Sequence, residues 1–179
     1  VVDDVQPWAY LWAITLPCQE CHRRFPLIGS NQLSTSTGTA ASQKTGRPDR
    51  GQSFEVVADP QTGTFSIEVF DGEPRSAPIM RAGVGRKKGK SAACPFCGHS
   101  HDRPLIQRLM SEQMGKDALL LVAEPTSEGR RVFRTPTTEE FEAVQRAKEQ
   151  LEREPEFGEG LPAVPHERIA EGNATAVRP

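Results

Sequence analysis

The sequence predicts an α+β chain whose core is a set of β-hairpins carrying paired cysteines, and three observations predict it. The whole cysteine complement of the 179 residues is two C-x-x-C pairs, Cys18/Cys21 and Cys94/Cys97, with 72 residues between them. Between the pairs lies one stretch of alternating apolar residues around a turn, and after them come a strand, a turn, a strand and a helix. Hydrophobic residues make up 36% of the chain and charged residues 26%, which allows a folded core of modest size.

The elements follow in order. Trp8 to Leu16 is the longest apolar run, about half of what a membrane span needs. It places Trp8, Tyr10 and Trp12 on one face and Ala9, Leu11 and Ala13 on the other, which predicts a strand buried on both faces. A base-stacking platform is the other use of such aromatics; core is the expectation. Residues 29–52 are rich in Ser, Thr, Gly and Gln without apolar period and read as a flexible loop. A β-hairpin follows: Phe54, Val56 and Ala58 alternate in one strand and Phe65, Ile67 and Val69 in the next, with Asp59 to Gly63 supplying the turn. Residues 72–92 read as a second loop carrying Arg86, Lys87, Lys88 and Lys90.

After the second cysteine pair, Leu105, Ile106, Leu109 and Met110 stand at helical spacing, with Pro104 in the first turn and Gly115 as the stop. Residues 117–124, DALLLVAE, predict a buried strand, and residues 125–129 turn the chain into RRVFRTP. In the helix after it, Thr137 and Glu140 form a capping box, Phe141, Val144 and Leu151 mark the apolar face, and Glu142 pairs with Arg146. Pro155 ends it. The predicted organisation is residues 1–30 and 79–135 as a cysteine-centred core, 31–78 as an inserted loop and hairpin, 136–155 as the helix, and 156–179 as an extended linker or tail.

The cysteines carry the chemistry. Four thiolates suit a closed tetrahedral zinc site, so Cys18, Cys21, Cys94 and Cys97 are the expected ligands of a structural Zn²⁺, and the fold class sharpens to zinc-ribbon-type hairpins. A tight C-x-x-C turn aims both sulfurs at one ion, and Gly98 suits its left-handed position. The long insert is no obstacle, because loop-closure cost grows only as the logarithm of length. A thioredoxin-like redox role would need one C-x-x-C at a helix start within a βαβ unit, which the pattern lacks. His22, His99 and His101 are the alternative ligands; four cysteines already fill the ion, so these histidines are expected on the knuckle surface. Paired C-x-x-C units fit a reducing cytoplasm better than a disulfide framework, which leaves the sequon at Asn173 a chance match.

The remaining motifs exclude more than they assign. The stretch AGVGRKKGKS ends like a phosphate-binding loop, but Val84 stands where its first glycine belongs and a cysteine knuckle follows in place of a helix. Lys88 occupies the third glycine position of a dinucleotide fingerprint. No paired carboxylates, Ser-His-Asp order or H-E-x-x-H motif appears, so the chain is not read as catalytic by itself. With a net charge of −2, any nucleic-acid contact must be local, and Arg86, Lys87, Lys88 and Lys90 are the candidates. The chain does not begin with Met and ends on Arg178-Pro179 without a closing element, so it reads as a piece of a longer protein.

The ordered set WAYLWAITLPCQECHRRFPLIGS, AACPFCG and MGKDALLLVAEPTSEGRRVFRTPTTEEFEA, with the tail LPAVPHERIAEGNATAVRP, resembles large bacterial adenine-specific DNA methylases that contain a zinc ribbon. The resemblance spans nearly the whole chain except the 31–53 loop. It implies a parent enzyme that moves a methyl group from S-adenosylmethionine to N6 of adenine in DNA after flipping the base. The family's [DN]-P-P-[YFW] motif is not in this chain, where Gln61 follows Asp59-Pro60, and neither is the glycine motif for the methyl donor. Only Cys18, Cys21, Cys94 and Cys97 carry over, as zinc ligands. The chain would then be the central, non-catalytic segment, with DNA and the rest of the methyltransferase as partners and no membrane. Relatives tend to have arginine where Ile14 and Gly29 stand, and a lysine-rich run where this chain has NQLSTSTGTAASQKTG. A stand-alone zinc-binding adaptor without catalysis is the alternative expectation.

Overall fold

The computed structural model describes residues 6–35, 50–82, 90–127, 129–153, 156–157 and 161–162. The chain divides into two units, Val1–Pro136 and Thr137–Pro179. Among the described residues the first is mostly antiparallel β-structure, with a helix between its eighth and ninth strands. Its strands are β1 (Ala9–Pro17), β2 (Arg24–Pro26), β3 (Gln32–Ser34), β4 (Gln52–Asp59), β5 (Thr64–Asp71), β6 (Met80–Ala82), β7 (Lys90–Ala93), β8 (Ser100–His101), β9 (Lys116–Pro125) and β10 (Arg131–Arg134), with α1 (Arg103–Ser111) between β8 and β9. They form three sheets, ordered β10-β9-β1-β2, β3-β4-β5 and β6-β7-β8.

Long-range pairing of β1 with β9 builds the main sheet, and it contains one irregularity. Leu11 pairs with Leu121 but Trp12 pairs with Leu119, so Leu120 is an extra residue in β9. The bulge lets Leu120 and Leu121 both enter one cluster with Ile28 and Phe54, against which Leu11, Ala13, Val56 and Ile67 pack. That face of β1 is therefore covered by the β3-β4-β5 sheet. A second cluster joins Leu16, Phe25, Cys18, Ala92 and Cys94 to Ile106 and Leu109 of α1.

The other face of β1 overturns the expectation of burial on both sides. Trp8 is 56% exposed, and Tyr10 and Trp12 are each 45% exposed. Helix α1 packs at the Leu16 end through Ile106 and Leu109, while the aromatic end stays at the surface. Arg131 does lay its guanidinium carbon 3.6 Å from the centroid of the Trp8 ring.

The β4–β5 hairpin forms as expected, and its register sets Phe54 opposite Val69 and Ala58 opposite Phe65. The Asp59 carboxylate accepts from the Gln61 amide and the Thr62 hydroxyl, and Gly63 takes a left-handed φ of 71°. Two stretches read as loop contain short strands: β3 pairs with β4, and β6 with β7. Residues 36–49 of the first loop lie outside the described residues. Asp102 caps α1 by accepting from the Leu105 amide. The helix stops earlier than Gly115, because Gln113 already adopts a left-handed φ of 56°. Gly115 instead sits where a Cβ would lie 3.1 Å from Met110 Sδ and 3.2 Å from Ile14 Cγ2.

In the second unit, α2 spans Thr138–Arg153. Its capping box is formed both ways, the Thr137 amide to Glu140 Oε2 and the Glu140 amide to Thr137 Oγ1. Arg146 lies 3.8 Å from Glu142. Phe141 and Leu151 of the apolar face are exposed. β11 (Glu156–Phe157) pairs with β12 (Leu161–Pro162), where an extended tail was expected; residues 163–179 lie outside the described residues.

Candidate metal centre

Two turns of the same construction bring the cysteines together. The first connects β1 to β2, and the second connects β7 to β8. In the first, the Cys18 amide donates to the Arg23 carbonyl at 2.9 Å and the His22 amide to the Cys18 carbonyl at 3.0 Å. In the second, the Cys94 amide donates to the His99 carbonyl at 2.9 Å and the Gly98 amide to the Cys94 carbonyl at 2.9 Å. The position after the second cysteine is left-handed in both, with φ of 60° at His22 and 76° at Gly98. The left-handed role expected of Gly98 is thus observed, and a histidine fills the same role in the other knuckle.

The sulfurs of Cys18, Cys21, Cys94 and Cys97 all lie within 4.8 Å of one another. Between the knuckles, Cys18 Sγ lies 3.6 Å from Cys97 Sγ and Cys21 Sγ lies 3.7 Å from Cys94 Sγ. A disulfide needs about 2.05 Å, so neither pair is bonded. A tetrahedral ion with metal–sulfur bonds of about 2.3 Å places its ligands roughly 3.8 Å apart. The observed spacing fits that requirement, and four thiolates are a donor set for a soft or borderline cation.

Backbone amides prepare the sulfurs for charge. Those of Glu20 and Cys21 reach Cys18, those of Phe96 and Cys97 reach Cys94, and that of Arg23 reaches Cys21. Burial nevertheless dominates at the inner pair: it raises the Cys18 thiol and pushes Cys94 up to about 12. Burial also pulls Cys21 upward, but the Arg23 amide and then the three neighbouring thiols outweigh it, and Cys21 sits below the ordinary thiol range. Cys18 and Cys94 are buried, Cys21 is half-buried and Cys97 is exposed, so the cluster is closed on the core side and open at Cys97.

The three neighbouring histidines are not part of this cluster. His22 makes the first knuckle's left-handed turn. His99 packs edge-on against His101 at 5.1 Å between ring centroids. His101 is fully buried, contrary to the expectation of a surface position, and its Nε2 accepts the Gln19 amide hydrogen at 3.3 Å. Burial, then the adjacent His99, hold its imidazole below the ordinary histidine range. Sequence reasoning also missed Arg23. Its guanidinium lies over the Phe96 ring at 5.5 Å and donates to the Pro60 carbonyl at 2.6 Å, linking both knuckles to the β4–β5 turn.

The basic cluster is not placed. Arg86, Lys87 and Lys88 lie outside the described residues, and Lys90 is described only as a backbone position in β7 opposite Ala82. Among the described residues no helix is long and apolar enough to cross a membrane.

No family model matches the chain, and neither does any curated protein or solved structure.

Proposed function

We propose that this chain is a zinc-ribbon segment of an S-adenosylmethionine-dependent, adenine-specific (N6) DNA methyltransferase, working in the cytoplasm, that shapes or docks the DNA-binding side while the catalytic motifs lie elsewhere in the enzyme. The observation that supports the zinc part is the pair of equivalent knuckles whose four sulfurs lie within 4.8 Å of one another, two of them 3.6 and 3.7 Å from their partners across the knuckles. Cys18, Cys21, Cys94 and Cys97 would hold the ion, which supplies cross-linking and no open coordination position. The methyltransferase part is supported by the ordered sequence resemblance. It is also supported by the exposure of Trp8, Tyr10 and Trp12 at the surface, since a surface of this composition suits a chain that works against a neighbour.

Two measurements test the reading. Elemental analysis of the purified chain should give one zinc per chain, and a preparation free of bound metal after growth with zinc would sink the ribbon. DNA binding should weaken with salt and fall further in Lys87→Ala/Lys88→Ala. Binding unchanged in that variant removes the basic loop as the contact. The coding region on both sides settles the parent enzyme, since a [DN]-P-P-[YFW] motif and a glycine-rich donor motif must lie in frame. Their absence leaves the second reading, an adaptor that uses the same zinc-pinned core and aromatic face without catalysis.

A further inference from the structure

The two knuckles differ at one backbone position, and a buried histidine stands where they differ. The sulfur of each first cysteine is served by the amides two and three residues later. One residue after Cys94 stands Pro95, which has no N–H to satisfy. One residue after Cys18 stands Gln19, and its N–H goes to Nε2 of His101. His101 lies in β8, and β8 pairs with β7, the strand that leads into Cys94. This one bond therefore ties the first knuckle to the hairpin that carries the second.

Accepting at Nε2 requires a neutral imidazole with its proton on Nδ1. Nδ1 is buried and makes no well-formed hydrogen bond, although the Ala92 and His99 backbones lie near enough to favour a proton on the ring. A buried donor so poorly satisfied is costly, and an apolar side chain would avoid that cost. The ring packs on Phe25 at 5.0 Å, which any aromatic could do. What an apolar residue could not supply is the acceptor.

We propose that His101 is a positioning residue of the metal centre, holding the Cys18–Cys21 knuckle against the Cys94–Cys97 hairpin so that the four sulfurs are spaced for the ion before it binds. Outer contacts of this kind change metal affinity by about 10- to 100-fold. The inference rests on the zinc reading above.

The test is zinc affinity of the full chain by competition with a chromophoric chelator, paired with the thiolate absorption of the cobalt-substituted protein. His101→Leu should bind zinc 10- to 100-fold more weakly with an altered cobalt spectrum; if it does not fold, His101→Met takes its place. His101→Gln should recover most of the affinity, because its amide oxygen can accept from Gln19. In a Gln19→Pro background, which copies Pro95 and removes the donor, His101→Leu should cost no further affinity. Wild-type chain that fails to bind zinc would sink the zinc reading itself. Wild-type chain that binds tightly, with the Leu or Met variant equally tight, would overturn the role of His101 alone. Equal losses for the apolar and Gln variants in both backgrounds would also overturn it, by showing that the ring only fills space.

Discussion

His22 and Gly98 occupy the same turn position at unequal cost. A left-handed backbone carries a steric penalty of about 1 kcal/mol for a residue with a Cβ, and glycine avoids it. His22→Gly should therefore stabilise the metal-loaded chain by about 0.5 kcal/mol, the gain being reduced by glycine's extra freedom when unfolded. Gly98→Ala should cost about 1–2 kcal/mol, and all of it conformational, since a Cβ there would meet nothing within 4 Å. Thermal unfolding of the two variants checks the pair; shifts of the same sign would refute the equivalence of the turns. The thiols make a second residue-scale prediction. Cys94, with its proton held up to about 12, must release that proton to bind a cation, so protons compete with metal at neutral pH and compete harder as pH falls. Zinc affinity should rise by about tenfold per pH unit for each proton displaced. Chelator competition at pH 6, 7 and 8 measures it, and a flat profile would mean the thiols were already ionised. The cysteine cluster was legible because these are the chain's only cysteines and their spacing is specific. His101 was not, because a buried acceptor and a surface histidine look alike until the Gln19 amide is seen to need a partner.

Among the elements, β9 shows why a run of apolar residues predicts burial but not register. LLLV has no alternation to fix a face, and the extra residue at Leu120 turns two adjacent leucines into one cluster. Leu121 is 1% exposed, and Leu121→Ala should cost about 2–5 kcal/mol in urea unfolding. A loss under 1 kcal/mol would mean that this cluster is not a core. The β4–β5 hairpin and the capping box of α2 were readable because alternation, an Asp-to-Gly turn and a Thr-x-x-Glu motif are local signals. Strands β3, β6 and β7 were not, since three or four residues are too few to show a period and their pairing partners lie outside the segment. The aromatic end of β1 was misjudged for a related reason. Alternation shows that two faces exist, while the length of α1 decides how much of one face is covered.

At the scale of the whole molecule, the described residues form two clusters of buried side chains, and one of them contains two of the four cysteines. An ion at this centre would cross-link hairpins separated by 72 residues of chain, so its binding free energy would add to folding free energy. Chelation should lower the thermal midpoint by more than 10 °C and be reversed by added zinc; a midpoint unmoved while the metal leaves would exclude a structural role. The exposed aromatic face of β1 has an optical consequence. Both tryptophans and the single tyrosine of the chain lie there, at the surface, while phenylalanine and aliphatic residues fill the interior. Intrinsic fluorescence of the folded chain should therefore be red-shifted and open to iodide or acrylamide quenching, and global unfolding should change its colour little. The same property makes the native protein its own reporter: whatever settles on that face will shift the emission to the blue without any label attached.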